Sequence, residues 1–455
     1  MKSPFQTLSA EEVEFEEANS PQPWFHLMAG SRPLVFLMEN SRLFEVSPDL
    51  FAALASGDEE AITELRVAVP SAHDAIKAWH ADAQPSAISL NLAQSCNLAC
   101  SYCYADEGRF GGRQRLMPVE IALATIERLI ERAPGRRVTI GFIGGEPFLN
   151  RTTLYRSVEY ATELAARRGI SVGFSITTNG TLLTPSDITL LRENAFAVSV
   201  SIDGGAKIHD LHRSDHQGKG SFARTLCSLR PLLDEPGRAK IAARSTVTRD
   251  DMRVLERVEA LSAIGFSEIG VSPLRTSPNP QLAFRSDDWS IFLQEMIRMA
   301  EAEWQRVLAG DAFRFSNLAI ALKEIHRGSC RPLPCGSAAS YVSVSAEGNY
   351  FTCHRTIDDS RFALGTLADG PSSAAREQFL QSRLVDRQEP CRSCWARYLC
   401  GGGCHAEVIA SGRHGCDYIR GWLDYCLRYY DRALTERPDI FDYPQMNHER
   451  QDISP

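Results

Sequence analysis

The chain has 455 residues, a length that suggests two or three domains, and its 44% hydrophobic and 23% charged residues are ordinary for a soluble globular protein. The net charge of −8 argues against a nucleic-acid partner, because no basic patch is available to neutralise phosphates. The N-terminus lacks the apolar core of a signal peptide, and no apolar run reaches membrane-spanning length. We therefore expect a cytoplasmic protein without a membrane partner.

The first 83 residues predict a small module and a linker. Residues 1–20 are acidic and polar, and we expect them to be poorly ordered. Short apolar runs follow at 24–28, 34–38 and 43–46, and helical periodicity follows at 48–55 and 59–67. This pattern predicts three strands backed by helices, with a helical linker at 73–83.

A regular alternation of strands and helices follows. Strands are predicted at residues 88–92, 138–143, 172–177, 197–202, 241–247 and 268–272, with helices at 118–133, 153–168, 185–193, 222–234 and 253–264. Apolar, β-branched strands alternating with helices predict an α/β fold with a parallel sheet. In barrels built this way, the chemistry lies at the C-terminal ends of the strands.

The cysteines point to metal rather than to disulfides. In a reducing compartment thirteen cysteines are expected to be mainly metal ligands, and twelve of them fall in two groups, at 96–103 and 330–426. Cys227 stands alone and is predicted to be a small buried hydrophobe.

The first group lies on the loop after the first barrel strand. Cys96, Cys100 and Cys103 are separated by three and two residues, so their thiolates can hold an iron–sulfur cube with one iron left open. The alternatives are a structural zinc site, which requires four ligands, or three unrelated buried cysteines. With Tyr102 before the last cysteine, the loop resembles the signature of the radical S-adenosylmethionine (SAM) superfamily. The resemblance implies a partial (β/α)6 barrel, a SAM-binding 4Fe–4S cluster and packing of Tyr102 near the SAM adenine.

The second barrel strand runs into Gly144-Gly145-Glu146-Pro147. Paired glycines allow close backbone approach to a ligand, and a carboxylate can accept hydrogen bonds from an ammonium group. The segment resembles the family motif that binds the SAM amino group.

Polar residues end the next three strands. Asn179, Ser201 and Asp203 resemble family segments that reach the ribose and methionyl parts of SAM, and Arg244 resembles an arginine that faces its carboxylate. For each of them the alternative is a cap or turn residue. The loop 203–216, with His209, His212 and Asp215, either lines a substrate channel or is a solvated loop, and no general base is identifiable.

Two helices, predicted at 289–308 and 318–326, lead to the second cysteine group. Its spacing is C-x12-G-x4-C followed by CxxC-x5-C-x3-C, which is very similar to the SPASM domain of radical SAM enzymes. The resemblance implies two auxiliary 4Fe–4S clusters, three clusters in all. The first set is Cys335, Cys353 and Cys404 with Cys330 as a possible fourth ligand, and the second is Cys391, Cys394 and Cys400 with a downstream cysteine, for which Cys416 is preferred to Cys426.

Together these features predict five segments, at residues 1–83, 84–285, 286–329, 330–430 and 431–455. They are the N-terminal module with its linker, the radical SAM core, a helical linker, the SPASM domain and a peripheral tail. The N-terminal module resembles a winged-helix-like peptide-recognition domain, in which a leader peptide adds a strand to a sheet edge. The alternative is a cap that closes the barrel.

The resemblance implies a peptide-modifying oxidoreductase whose partners are a leader-bearing peptide and an electron donor such as flavodoxin or ferredoxin. The layout is similar to that of the thioether-forming maturases, namely the six-cysteine-peptide maturases and the quinohemoprotein amine dehydrogenase maturation protein. Three alternatives stay open: a formylglycine-generating sulfatase maturase, a carbon–carbon crosslinking enzyme and a non-catalytic electron carrier. In sulfatase maturases an acid follows the second upstream SPASM cysteine, whereas here Cys353 precedes His354 and Arg355.

Overall fold

The computed structural model describes residues 24–30, 32–39, 41–68 and 84–442. The acidic segment 1–20 and the predicted linker helix 73–83 lie outside these ranges. In the described part of the chain, no helix is both long and apolar enough to cross a membrane.

The N-terminal module has the predicted elements. Strands β1 (Phe25–Met28), β2 (Leu34–Leu37) and β3 (Arg42–Glu45) form an antiparallel sheet in that order, followed by helices α1 (Pro48–Ser56) and α2 (Glu59–Ala68). All four residues of the central strand β2 are buried. Helix α1 begins where the Ser47 hydroxyl accepts a hydrogen bond from the Leu50 amide at 3.2 Å, which satisfies one of the free N–H groups of its first turn.

All six predicted barrel strands are present and parallel. They are β4 (Ala87–Ala93), β5 (Arg137–Gly144), β6 (Ser171–Thr178), β7 (Ala197–Ser201), β8 (Lys240–Val247) and β9 (Glu268–Pro273). The intervening helices are α3 (Val119–Glu131), α4 (Arg151–Arg168), α5 (Pro185–Glu193), α6 (Ala206–Asp210), α7 (Phe222–Asp234) and α8 (Val254–Ile264). The fold is therefore the predicted α/β class.

The remaining elements belong to the C-terminal third. Two helices, α9 (Asp288–Leu308) and α10 (Ser316–His326), precede strands β10 (Tyr341–Val344), β11 (Tyr350–Phe351) and β12 (Ala363–Gly365). Helices α11 (Ser373–Arg383), α12 (Arg397–Cys400), α13 (His405–Ser411) and α14 (Cys416–Glu436) complete the chain.

The sheet continues across the predicted domain boundary. Strand β10 pairs in parallel with β4, and β11 and β12 extend the sheet to nine strands in the order β12-β11-β10-β4-β5-β6-β7-β8-β9. The Ser89 hydroxyl lies 2.7 Å from Tyr341 Oη and 2.5 Å from Ser343 Oγ, which ties β10 to β4 through side chains as well. The cysteine-rich region is thus built onto the edge of the barrel.

The N-terminal module packs against the cysteine-rich region. The His26 ring stacks on Trp395 with centroids 3.9 Å apart, and its Nε2 lies 2.8 Å from the Asp424 carboxylate. Because Trp395 directly follows Cys394, the module contacts the chain next to one of the predicted ligands.

Two smaller expectations are wrong. Cys227 is exposed rather than buried, since it lies on the outer side of α7. The segment after Pro438 is not peripheral where it is described, because Ile440 and Phe441 are buried and Phe441 stacks on His326 with centroids 4.7 Å apart.

Candidate active site

The loop after β4 holds three thiols whose surroundings suit an iron–sulfur cluster. Cys96, Cys100 and Cys103 lie within electrostatic reach of one another, and burial raises the pKa of Cys96 to about 12. N–H groups point at the sulfurs: Leu98 N is 3.4 Å and Asn179 Nδ2 is 3.7 Å from Cys96 Sγ. Donors of this kind stabilise the negative charge of cluster thiolates and tune their potential.

The polar loop after β7 belongs to this scaffold. The Ala99 amide donates to Ser214 O at 2.8 Å and the Ser101 amide donates to His212 O at 3.0 Å, so the loop pairs with the cysteine segment like an added strand. His212 Nδ1 also lies 2.8 Å from Ser101 Oγ. The sequence predicted that residues 203–216 either line a substrate channel or form a solvated loop. The structure shows a third role, in which the loop holds the cysteines in place.

His209 lies inside the same loop rather than on a channel wall. It is fully buried, its Nε2 is 2.9 Å from Ser221 Oγ, and burial lowers its pKa to about 4. The ring is therefore neutral at pH 7 and serves the packing of the loop.

The glycines of the 144–147 motif pack against the cysteine loop. The Gly145 amide donates to Ala93 O at 2.8 Å, and the Glu146 amide donates to Ser95 O at 3.0 Å. A Cβ atom at residue 145 would lie 2.3 Å from Ser95 O, closer than any real contact. Glycine is needed here because two backbones meet, and Pro147 then begins the short 3-10 helix Pro147–Asn150.

The Glu146 carboxylate is turned into the protein. It accepts hydrogen bonds from Thr178 Oγ1 and the Asn179 amide, both at 2.8 Å, and burial raises its pKa to about 7. These partners connect the ends of β5 and β6. Contact of residues 144–147 with SAM remains a prediction.

A buried ion pair supports the second cysteine. Tyr102 Oη donates to Asp203 Oδ2 at 2.5 Å, and Arg213 Nε donates to the same oxygen at 2.9 Å. The guanidinium lies 5.3 Å from the Tyr102 ring centroid and 4.0 Å from Cys100 Sγ. Burial alone would raise the pKa of Asp203, but Arg213 and Tyr102 beside it lower the pKa. The sequence analysis missed Arg213. The only sign of it in the sequence is a basic residue within the polar loop that begins at Asp203.

The other predicted SAM residues lie on adjacent strands. Ser201 and Arg244 are paired residues of β7 and β8. The Arg244 guanidinium donates to Glu268 Oε1 at 2.8 Å and to Ser316 Oγ at 3.3 Å, so its described carboxylate partner is Glu268. Asn179, in contrast, contacts the cysteine loop directly, since its side chain also donates to Asn97 Oδ1 at 3.0 Å.

Seven downstream cysteines line one cavity of about 570 Å³ and separate into two sets. Cys335, Cys353 and Cys404 lie within electrostatic reach of one another, as predicted for the first set. The second set contains Cys391, Cys394, Cys400 and Cys416. Cys416 is the first residue of α14, following Gly415 at φ 74°.

Cys330 and Cys426 lie apart from both sets. The charged neighbours of Cys330 are Asp386, Arg397 and Glu39, and it does not line the cavity. Cys426 is fully buried within α14. The structure therefore does not bring Cys330 to the first set, and it places Cys416 rather than Cys426 with the second.

Among the residues that the structure describes, no three His, Cys, Asp or Glu side chains form a group that could hold a metal ion. Ligands of a four-iron cube bind different irons, so they stand farther apart than the ligands of one zinc ion.

Tyr104 separates the two ends of the site. It lies within electrostatic reach of Cys103 on one side and of Cys353 and Cys404 on the other, and the Arg355 guanidinium is 4.6 Å from its ring centroid. Burial raises its pKa to about 12, yet 45% of the residue is accessible. Tyr104 therefore lies between the first cysteine loop and the part of the cavity wall that contains Cys353, Cys404 and Arg355.

A comparison with known proteins defines the class. Residues 90–267 match the family model of the Radical SAM superfamily, and this part of the chain is a radical SAM domain. Such a domain implies SAM and a 4Fe–4S cluster, and the predicted ligands Cys96, Cys100 and Cys103 lie within the matched residues.

Particular relatives extend the similarity over most of the chain. The serine-type anaerobic sulfatase-maturating enzyme of Klebsiella aerogenes is 24% identical over 76% of this chain and 86% of its own length. The mycofactocin maturase MftC of Mycolicibacterium smegmatis is 28% identical over 80% and 88%. The solved structure of native anSMEcpe with bound AdoMet and Kp18Cys peptide superposes with a TM-score of 0.64 at 20% identity, covering 77% of this chain and 99% of that one.

Proposed function

We propose that this protein is a radical SAM enzyme that modifies a peptide or small protein, forming thioether crosslinks between cysteine sulfur and a carbon of another residue. The observation that carries the proposal is that Tyr104, directly after the SAM-type cysteine loop, lies near Cys353 and Cys404 of a second, cysteine-lined cavity. The similarity to maturases, one of them solved with a peptide, supports a peptide substrate.

In this proposal each part of the site has a role. Cys96, Cys100 and Cys103 hold the SAM-binding cluster, which supplies a hydrogen-abstracting radical from SAM when reduced. Residues 144–147, Tyr102, Asn179, Ser201, Asp203 and Arg244 orient SAM directly or through the cysteine loop. The two downstream cysteine sets would hold auxiliary clusters, which would take up the one electron released when the thioether forms and the thiol proton leaves.

The N-terminal module would bind the leader of the substrate. Strand β3 pairs only with β2 among the described residues, so its other edge is open to an added strand. The module also contacts Trp395, beside the second cysteine set, so a leader bound there would tether the substrate close to the cavity.

A second candidate is formylglycine generation, which the similarity to a sulfatase-maturating enzyme favours. The cavity offers little support for it. In the described part of the chain, the two glutamates that line the cavity are both paired with arginines: Glu407 with Arg355 at 2.9 Å and Glu324 with Arg331 at 3.7 Å.

The test is a mass measurement on candidate substrates. The anaerobically reconstituted protein, reduced with flavodoxin or ferredoxin, is incubated with SAM and the cysteine-containing small proteins encoded beside its gene. We expect 5′-deoxyadenosine together with a loss of two hydrogens per event from one of these peptides, and the affected cysteine should resist alkylation.

Other outcomes separate the alternatives. The same mass loss with all cysteines still alkylatable would indicate a carbon–carbon bond. A product that reacts with a hydrazide reagent would indicate formylglycine. Production of 5′-deoxyadenosine with no change in any peptide would contradict the peptide assignment, and its absence would contradict SAM cleavage.

A further inference from the structure

Two arginines from different parts of the chain share one glutamate on the wall of the cavity. Arg355 Nη1 lies 2.9 Å from Glu407 Oε1, and Arg275 Nη1 lies 3.8 Å from Glu407 Oε2. Arg275 follows β9 at the mouth of the barrel, whereas Arg355 and Glu407 belong to the cysteine-rich region. One carboxylate between two guanidiniums leaves one positive charge in excess, and an enclosed charge without a partner is costly.

The excess charge belongs to Arg275. Several other arginines interact electrostatically with cysteine thiols: Arg213 with Cys100, Arg355 with Cys353, Arg331 with Cys335 and Cys400, and Arg413 with Cys391. Arg275 is not among these arginines. A negatively charged cluster at these thiols would therefore explain the other arginines but not Arg275.

Arg275 is also held ready to bind a further group. Its guanidinium lies 5.3 Å from the ring centroid of Trp289, which fixes its plane. The 3.8 Å separation from Glu407 exceeds a hydrogen bond, and in the described part of the chain this guanidinium makes no hydrogen bond. Its five N–H donors thus remain available to an acceptor in the cavity.

We infer that Arg275 binds a carboxylate of the peptide substrate, and that Trp289 and Glu407 orient it for this. The fork of N–H donors matches a carboxylate in two parallel hydrogen bonds, which lysine cannot reproduce. The carboxylate comes from an aspartate or glutamate side chain or from the C-terminus of the peptide. This inference rests on the proposed function and adds to it the chemical class that the cavity selects.

The test combines changes in enzyme and peptide. The probe is the cysteine-containing small protein, encoded beside the gene, that the wild-type enzyme modifies. It is made in its native form, with its acidic residues changed one at a time to the amides, and with an amidated C-terminus. Each form is assayed with the wild-type enzyme, Arg275→Gln and Arg275→Lys. The control variant is Arg420→Gln, which changes another arginine of the cavity wall, one that pairs with Asp417.

We expect Arg275→Gln to raise KM for the native peptide about tenfold or more, because a bidentate pair between a guanidinium and a carboxylate is among the strongest hydrogen-bonded contacts in proteins. The kcat should change little, Arg275→Lys should recover part of the loss, and Arg420→Gln should match wild type. One peptide change, either a single acid-to-amide change or the C-terminal amide, should raise the KM of the wild-type enzyme by the same factor as Arg275→Gln does with the native peptide. The same peptide change should have no further effect on the KM of Arg275→Gln. Iron content and peptide-independent 5′-deoxyadenosine formation should be unchanged in every variant.

Failure of this inference and failure of the proposed function give different results. If wild type modifies the peptide but neither Arg275→Gln nor any peptide change raises KM, the inference is overturned while the proposed function stands. If wild type forms 5′-deoxyadenosine and modifies no peptide, the proposed function fails and this inference fails with it. The peptide changes need no altered protein, so a misfolded Arg275 variant would not block the test.

Discussion

At the scale of single residues, a buried histidine beside the cysteine loop makes the stability of the fold depend on pH. Burial lowers the pKa of His209 from its ordinary value of 6.5 to about 4. The unfolded chain therefore binds a proton more readily than the folded one between these two values. The stability from neutral His209 is complete above pH 6.5 and is lost as the pH falls toward 4.

We predict that replacing His209 by Gln removes this pH dependence. Between pH 6.5 and 5.5 the wild type should lose about 1 kcal/mol of unfolding free energy that the variant does not lose. Denaturant titrations at the two pH values measure the difference. His216→Gln, at an exposed histidine of the same loop, should behave as wild type, and equal slopes for wild type and His209→Gln would contradict the assignment.

Arg213 and Asp203 should shift the potential of the SAM-binding cluster in opposite directions. The guanidinium lies 4.0 Å from Cys100 Sγ, and its positive charge favours the more negative, reduced cluster. Arg213→Gln should therefore lower the midpoint potential, and Asp203→Asn should raise it.

A redox titration followed by electron paramagnetic resonance measures this potential, using the signal that changes when SAM is added. Arg224→Gln, at an exposed arginine of the same region, is the control. Shifts of the same sign in both variants, with iron content retained, would show that the pair acts through structure alone.

At the scale of elements, the site depends on close backbone contact between the ends of β4 and β5. We predict that Gly145→Ala displaces the cysteine loop, because its Cβ would lie 2.3 Å from Ser95 O. The variant should fold but bind about four fewer irons per chain and lose the SAM-responsive signal. Gly135→Ala, where no atom lies within 4 Å of the new Cβ, is the matched control. Full iron in Gly145→Ala would contradict this role.

The barrel elements were predictable because their signals are local. The six strands and their helices follow from apolar runs and their alternation, and each predicted strand lies within about two residues of the observed one. The pairing of β10 with β4 was not predictable, because residues about 250 positions apart meet and a strand of four residues does not specify its partner. The pairing of loop 209–216 with the cysteine segment was missed for the same reason.

The site was predicted in part. Cysteine spacing identified the three ligand sets, and Gly415 before an expected helix start favoured Cys416 over Cys426. Spacing could not show that Cys426 is buried in the interior of α14, which only the fold reveals. Spacing also could not show that Cys330 faces Asp386 and Arg397. Arg213 and Arg275 carry no motif, and their roles depend on contacts between distant segments.

At the scale of the whole molecule, the C-terminal region carries two cysteine sets that line one cavity. We predict that Cys416→Ala loses the second auxiliary cluster, because Cys416 lies with Cys391, Cys394 and Cys400. Cys426→Ala should keep all its iron. Iron analysis and Mössbauer spectra of the two variants measure this, and iron loss in Cys426→Ala alone would reverse the assignment.

We propose that a radical formed at the cysteine loop acts on a peptide in the cavity lined by the downstream cysteines. The most direct measurement is the isotope content of 5′-deoxyadenosine formed with a fully deuterated peptide from the set encoded beside the gene. We predict that the recovered 5′-deoxyadenosine carries one deuterium and that the peptide changes mass in equal amount. If 5′-deoxyadenosine forms without deuterium from every such peptide, the peptide is not the source of the abstracted hydrogen, and the account is contradicted.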